Sequence, residues 1–190
     1  MKNKFISCLI VAVVVVALSM PALAGNGPPV VGDALPEMVF PVPQNASHRE
    51  YLGLEEGGTF SIPQIDAQVV IIEIFSMYCP HCQREAPTVN GFYAKIQNDG
   101  SLKGRVKMIG IGVGNSEFEV GVFRKKYNIS FPLFADADFS AHKKLGEVRT
   151  PYFIGIKIAD DRNHRVFYSQ LGGPHDARGF LEKMLQQAGQ

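Results

Sequence analysis

The most telling hydrophobic pattern in the chain is Val69-Val70-Ile71-Ile72-Glu73-Ile74-Phe75, a β-branched apolar run interrupted by a single acid. A strand half-exposed to water alternates apolar and polar positions. A run without alternation predicts a strand covered on both faces, as at the centre of a parallel sheet. Val106 to Val113 repeats the pattern and predicts a second buried strand, with a helical stretch from about Cys82 to Gln97 between the two. A helix follows over Glu117 to Tyr127, with Phe118, Val122 and Phe123 expected on one side. Phe131 to Phe134 reads as a short strand and Phe139 to Leu145 as a short helix. Tyr152 to Ile158 and Arg165 to Leu171 flank the turn-forming Asp160-Asp161-Arg162-Asn163 and predict a hairpin. Asp176 can cap a closing helix that runs to about Gln187.

Ahead of the central strand the pattern is weaker. Gly25 to Pro36 is rich in Gly and Pro and reads as extended, and Met38 to Val42 as a short strand. His48 to Leu54 and Thr59 to Ile62 read as two short strands joined by Glu55-Glu56-Gly57-Gly58, the first alternatively as a helical turn. A βαβ unit followed by a hairpin and a last helix implies an α/β fold. Its mixed central sheet carries helices on both faces and an N-terminal strand extension.

Length and charge narrow this little further. A chain of 190 residues with 46% hydrophobic residues supports one well-buried core. A net charge of +1 offers no single-sign field for nucleic acid or an anionic membrane surface. The first residues change the picture more. Lys2 and Lys4 precede an apolar run from Phe5 to Leu18, and Ala22-Leu23-Ala24 follows with small residues at cleavage spacing. Residues 1–24 are expected to be a signal peptide and residues 25–190 one domain, placed in the periplasm. A retained N-terminal membrane anchor is the alternative. Cys8 lies inside the leader, which leaves Cys79 and Cys82 to the mature chain.

Spacing decides what that pair can do. A disulfide stabilises by closing a long loop in the unfolded chain, so two cysteines this close make a poor staple. At the start of a helix their Cα atoms can nonetheless come within the roughly 4.4 to 6.8 Å that a disulfide needs. Cys79 would then sit where unpaired backbone N–H groups and the helix dipole favour an anion, and the thiolate is the reactive form of cysteine. His81, through its ring or the N–H groups of its bend, would add to that effect. The bland alternatives are inert cysteines and half of a zinc site. Zinc needs four ligands, and His48, His142, His164 and His175 are scattered. Phe75, Phe92, Phe123, Phe153 and Phe180 recur at strand or helix spacing and read as core, so no cofactor box is implied.

Glu73 to Phe75 and Ser76-Met77-Tyr78-Cys79-Pro80-His81-Cys82 resemble the active-site strand and motif of thioredoxin-fold proteins, and Cys79-Pro80-His81-Cys82 is the DsbA dipeptide arrangement. Pro87 resembles the proline that kinks the active-site helix of that fold, and Glu73 stands where its buried acid stands. Thr150-Pro151 resembles the cis-proline loop that faces the cysteines and pairs with substrate backbone. Gly32 to Phe40, with Asp136 to Ile154, is more similar to the TlpA and ResA branch of exported thioredoxin-like proteins. Between Tyr127 and Thr150 there is no room for the helical insertion of a DsbA proper.

The resemblance implies a thiol-disulfide oxidoreductase without a cofactor. In it Cys79 forms a mixed disulfide and Cys82 resolves it, Glu73 accepts a proton, and Thr150, Pro151 and Tyr78 flank the substrate. The implied partners are exported proteins bearing thiols or disulfides and a membrane redox protein that resets the Cys79–Cys82 pair. Direction stays open. Thioredoxin near −270 mV and DsbA near −120 mV differ by roughly 7 kcal/mol, and a thiol pKa lowered from about 8.5 to 3.5 spans nearly all of that. His81 favours an oxidant, the TlpA-like scaffold a reductant of the cytochrome-maturation kind. Two other functions compete. Ser76, three residues before Cys79, echoes the Thr-x-x-Cys of peroxiredoxin-like peroxidases, although Ile72 stands where their proline is expected. A redox-inert binding module would use the surface around Thr150 and Pro151.

Overall fold

The computed structural model describes residues 27–173 and 176–189. The expected signal peptide and its cleavage site lie outside them. Five strands form the main sheet: β3 (Val69–Phe75), β4 (Val106–Val113), β5 (Leu133–Asp136), β6 (Tyr152–Ile158) and β7 (His164–Leu171). Their spatial order is β5-β4-β3-β6-β7, with β4 and β5 parallel to their neighbours and β6 and β7 antiparallel. The run 69–75 is thus the central strand, and every residue of it is buried. β1 (Val39–Pro41) and β2 (Thr59–Ser61) pair separately as a two-stranded extension in the register Phe40↔Phe60.

Alternation along β3 divides the core in two. Val70, Ile72 and Ile74 face a cluster closed by Phe40, Phe60 and Leu52 of the N-terminal extension. Val69, Ile71 and Phe75 face a second cluster built from the helices α2 (Pro80–Asn98), α3 (Glu117–Tyr127) and α5 (Ala177–Ala188). On α2 the buried positions are Cys82, Ala86, Val89, Phe92 and Ile96, a helical stripe laid against the sheet. Cys82 therefore belongs to the core at its upper end. Asp176 caps α5 as expected, accepting from the N–H groups of Arg178 and Gly179.

Three expectations need correction. Of the two readings of His48 to Leu54 the strand falls and the helical turn holds, His48 to Leu52 lying in helix α1 (Ala46–Leu52): the Asn45 side chain accepts from Ser47 and His48 N–H groups, and Gly53 ends the helix in the left-handed conformation. β2 pairs with β1 instead. On α3, Phe118 and Val122 do not face inward with Phe123; Phe118 is 79% exposed, and the buried positions are Val120 and Phe123. Finally, β5 begins two residues later than expected, because the ladder with β4 starts at Gly110↔Leu133. Asp136 at its end accepts the N–H groups of Ala141 and His142 and so starts helix α4 (Ser140–Lys144).

Candidate active site at the strand-to-helix junction

β3 ends at Phe75, residues 76–79 turn, and α2 begins at Pro80. Proline suits this first helical position because its missing N–H would have no helical partner there. Cys79 is the N-cap, and its sulfur accepts from the Cys82 N–H at 3.4 Å. Both cysteines are free thiols, Cys79 partly exposed and Cys82 buried. This exposes one sulfur and shields the other, one helical turn apart.

Burial of the Cys79 sulfur opposes ionisation. It is outweighed by the Thr150 side chain, the Cys82 N–H and thiol, and the His81 N–H, which together hold the Cys79 thiol below its ordinary range. The thiol form in turn donates to the Thr150 carbonyl oxygen at 3.3 Å, a bond that ionisation gives up. Cys82 behaves oppositely. Burial pushes its thiol far up, its hydrogen bond to Cys79 and the charges of Glu73 and Cys79 add to that, and only the Ser76 N–H works against it.

Glu73 lies in the register of Ile71 and Phe75 and so points to the side of the sheet that carries Cys82. It is 2% exposed. Burial, then the charges of Glu85 and Cys79, push its carboxyl up to about 8. Sequence reasoning missed Glu85, whose Oε2 is buried with no hydrogen-bond partner among the described residues. Gly173 makes room for it: a Cβ there would stand 2.1 Å from that oxygen. An acid on an otherwise ordinary helix carries no sequence signal; only the meeting of α2 with the 173 loop reveals it.

The Thr150-Pro151 peptide bond is cis, and the loop stands against Cys79, as the resemblance implies. The His81 ring turns away from the sulfur to Arg84, its Nδ1 2.8 Å from the guanidinium, so this residue reaches Cys79 through its backbone alone. Tyr78 is 63% exposed and donates its hydroxyl to Glu119 on α3, away from the cysteines. Asn115 and Gln83, not singled out beforehand, hold the turn itself: Asn115 Oδ1 accepts from the Met77 N–H at 2.8 Å, and Gln83 Nε2 donates to the Met77 carbonyl at 2.7 Å. Among the described residues no group of three or more His, Cys, Asp or Glu side chains is placed to hold a metal ion, and no helix is long and apolar enough to cross a membrane.

Residues 31–168, which include this whole junction, match the AhpC/TSA family. The chain belongs to that family. Two curated relatives are both named thiol-disulfide oxidoreductase ResA. That of Halalkalibacterium halodurans is 27% identical over 43% of this chain and 43% of its own length. That of Oceanobacillus iheyensis is 25% identical over 81% of this chain and 72% of its own. The fold has solved counterparts: the thioredoxin domain of a thiol-disulfide oxidoreductase from Bacteroides vulgatus superposes with a TM-score of 0.58 at 12% identity, covering 83% of this chain and 96% of that one. The AhpC/TSA chain described here therefore has a thioredoxin-like fold, with its cysteine pair at the end of the central strand.

Proposed function

We propose that this protein is a thiol-disulfide oxidoreductase that exchanges a Cys79–Cys82 dithiol or disulfide with exported proteins. The observation that carries the reading is the pairing of a partly exposed sulfur, held below its ordinary pKa at a helix start, with a buried thiol one turn behind it. In the reducing direction the Cys79 thiolate attacks a partner's disulfide, forms a mixed disulfide and expels one partner thiolate, which takes up a proton. Cys82 then loses its proton to Glu73 and attacks Cys79 sulfur. The second partner thiolate leaves, so the partner gains two electrons and the Cys79–Cys82 pair loses them. The oxidising direction is the same sequence reversed.

Glu73 suits the proton transfer because an acceptor near pH 8 can both take and return a proton in the neutral range. Thr150 and Pro151 would form the wall along which a partner strand lies, with Tyr78, exposed beside Cys79, as a flank. The leader pattern of residues 1–24 supports action in the periplasm, where disulfides persist and a membrane redox protein would reset the pair. The Ser76 hydroxyl on which a peroxidase reading leans accepts instead from the Tyr78 N–H and the Asn115 amide, at 3.5 and 3.4 Å.

The test is exchange with a small disulfide or dithiol substrate. Wild type should turn over, Cys79→Ser should be inert, and Cys82→Ser should accumulate a mixed disulfide visible by mass. Activity that survives Cys79→Ser would overturn the reading and favour a binding module. Rapid consumption of hydrogen peroxide would favour the peroxidase. Equilibration with glutathione then gives direction: near −120 mV for an oxidant, near −270 mV for a reductant.

A further inference from the structure

Asn115 is the most deeply buried polar residue near the cysteines, at 0% exposure. It follows β4 and precedes α3, so nothing in its own element requires an amide there. Its backbone N–H is already used, donating to the Gly112 carbonyl at 3.1 Å. The side chain serves a different segment. Oδ1 accepts from the Met77 N–H at 2.8 Å, and Nδ2 donates to Ser76 Oγ at 3.4 Å. Both atoms of the amide thus reach the turn that joins β3 to the cysteine motif. The next peptide along is held by Gln83, which donates to the Met77 carbonyl at 2.7 Å.

What this clamp fixes is the direction of the Ser76 backbone. The Ser76 carbonyl accepts from the Cys79 N–H at 3.0 Å, and the Ser76 backbone is the one group that favours the Cys82 thiolate against its burial. One peptide segment therefore touches both cysteines, and Asn115 is the buried group that keeps it in place. We propose that Asn115 is a positioning residue for thiol-disulfide exchange: acting through Ser76 and Met77, it aims the Ser76 N–H at Cys82 sulfur and so assists the resolving step. This rests on the exchange reading above. The thiolate that Cys82 must become is poorly solvated where it is buried, and the Ser76 N–H is a donor that faces it from outside α2. When Cys82 gives up its proton and bonds to Cys79 sulfur, that donor stabilises the developing anion until the new disulfide forms and the partner's sulfur departs with the charge.

Rapid-mixing measurement of the two steps, formation and resolution of the mixed disulfide with a small dithiol-disulfide substrate, tests the proposal. Asn115→Ala should slow resolution about tenfold, the scale of one lost buried hydrogen bond, while attack by Cys79 changes less than threefold. Asn115→Asp keeps the acceptor for Met77 N–H but loses the donor to Ser76 and should fall between. Because emptying a buried site can destabilise the fold, Ser76→Ala, which deletes only the hydroxyl that Asn115 holds, gives an independent measure and should slow resolution in the same sense. If both steps slow equally and in proportion to lost thermal stability, or if resolution is unchanged in all three variants, the proposal is overturned. If wild type forms no mixed disulfide at all, the exchange reading itself falls, and this proposal with it.

Discussion

At the scale of single residues the site works by contrast. Cys79 and Cys82 are the same residue one turn apart, yet one thiol is held down and the other pushed far up. Backbone and side-chain donors at the helix start outweigh burial for the first, and nothing comparable offsets it for the second. Glu73 stands behind both. In the proposed exchange it is a base that works only once deprotonated, so resolution of a mixed disulfide should accelerate as pH rises through about 8. Replacing it with Gln should slow resolution by about a hundredfold and remove that rise, as stopped-flow rates across pH 6 to 10 would reveal. Glu73 also leaves a mark on stability. A carboxyl whose pKa is higher folded than unfolded binds its proton more tightly in the native state. Its contribution is complete below the ordinary carboxyl range and is lost as pH rises through about 8. Glu73→Gln should therefore gain on wild type between about pH 5 and 8, by on the order of a few kcal/mol, and the gap should then level off in urea denaturation.

At the scale of elements, the turn that carries the cysteines depends on α3 as much as on α2. Ser116 caps α3 by accepting from the Glu119 N–H, while the Glu119 carboxylate accepts from the Ser116 N–H and hydroxyl, both at 2.7 Å. The same carboxylate accepts from Tyr78, so the cap of one helix is tied to the approach to the other. Ser116→Ala should cost about 1 kcal/mol and lower Tm by about 2 to 4 °C in a thermal melt. This link also explains what could be read in advance. β3, β4 and β6 were legible to the residue because their apolar runs are of strand length and rich in β-branched residues. Helix α1 was legible only as the alternative to a strand, since its seven residues are too few for periodicity and its signal lay in two caps, Asn45 and Gly53. Cys79 and Cys82 were legible from one motif and its spacing, and Glu73 and the Thr150-Pro151 loop only through the resemblance to thioredoxin-fold proteins. Asn115 and Glu85 were not, because each meets a distant segment that no local pattern connects, and Gln83, which reaches back to Met77, reads like any residue of a helix surface.

At the scale of the whole molecule, a stabilised thiolate is a term in folding as well as in chemistry. Only the reduced protein has a Cys79 thiol to ionise, and its pKa lies lower in the folded state than in the unfolded chain. Above the ordinary thiol pKa the full stabilisation is present; it is lost as pH falls through the lower pKa of folded Cys79. The oxidised protein has no such term. Cys82, pushed up by burial, acts in the opposite sense, but only near and above the ordinary thiol range, where the unfolded chain would ionise it. The slope due to Glu73 is present with or without the disulfide and largely cancels in the difference. It follows that Tm of the reduced protein minus Tm of the oxidised protein should increase as pH rises towards the ordinary thiol range. Calorimetry of the same preparation with and without dithiothreitol measures it. Because the two stabilities and the reduction potential close one thermodynamic cycle, the gap also reports on electron flow. Each 30 mV towards the oxidising end corresponds to about 1.4 kcal/mol in favour of the reduced fold. A reduced form that melts well above the oxidised one at pH 7 marks a protein that takes electrons from its partners, whereas the reverse order marks one that donates them. A gap that does not vary with pH would mean that the Cys79 sulfur is no better an anion in the fold than in the unfolded chain.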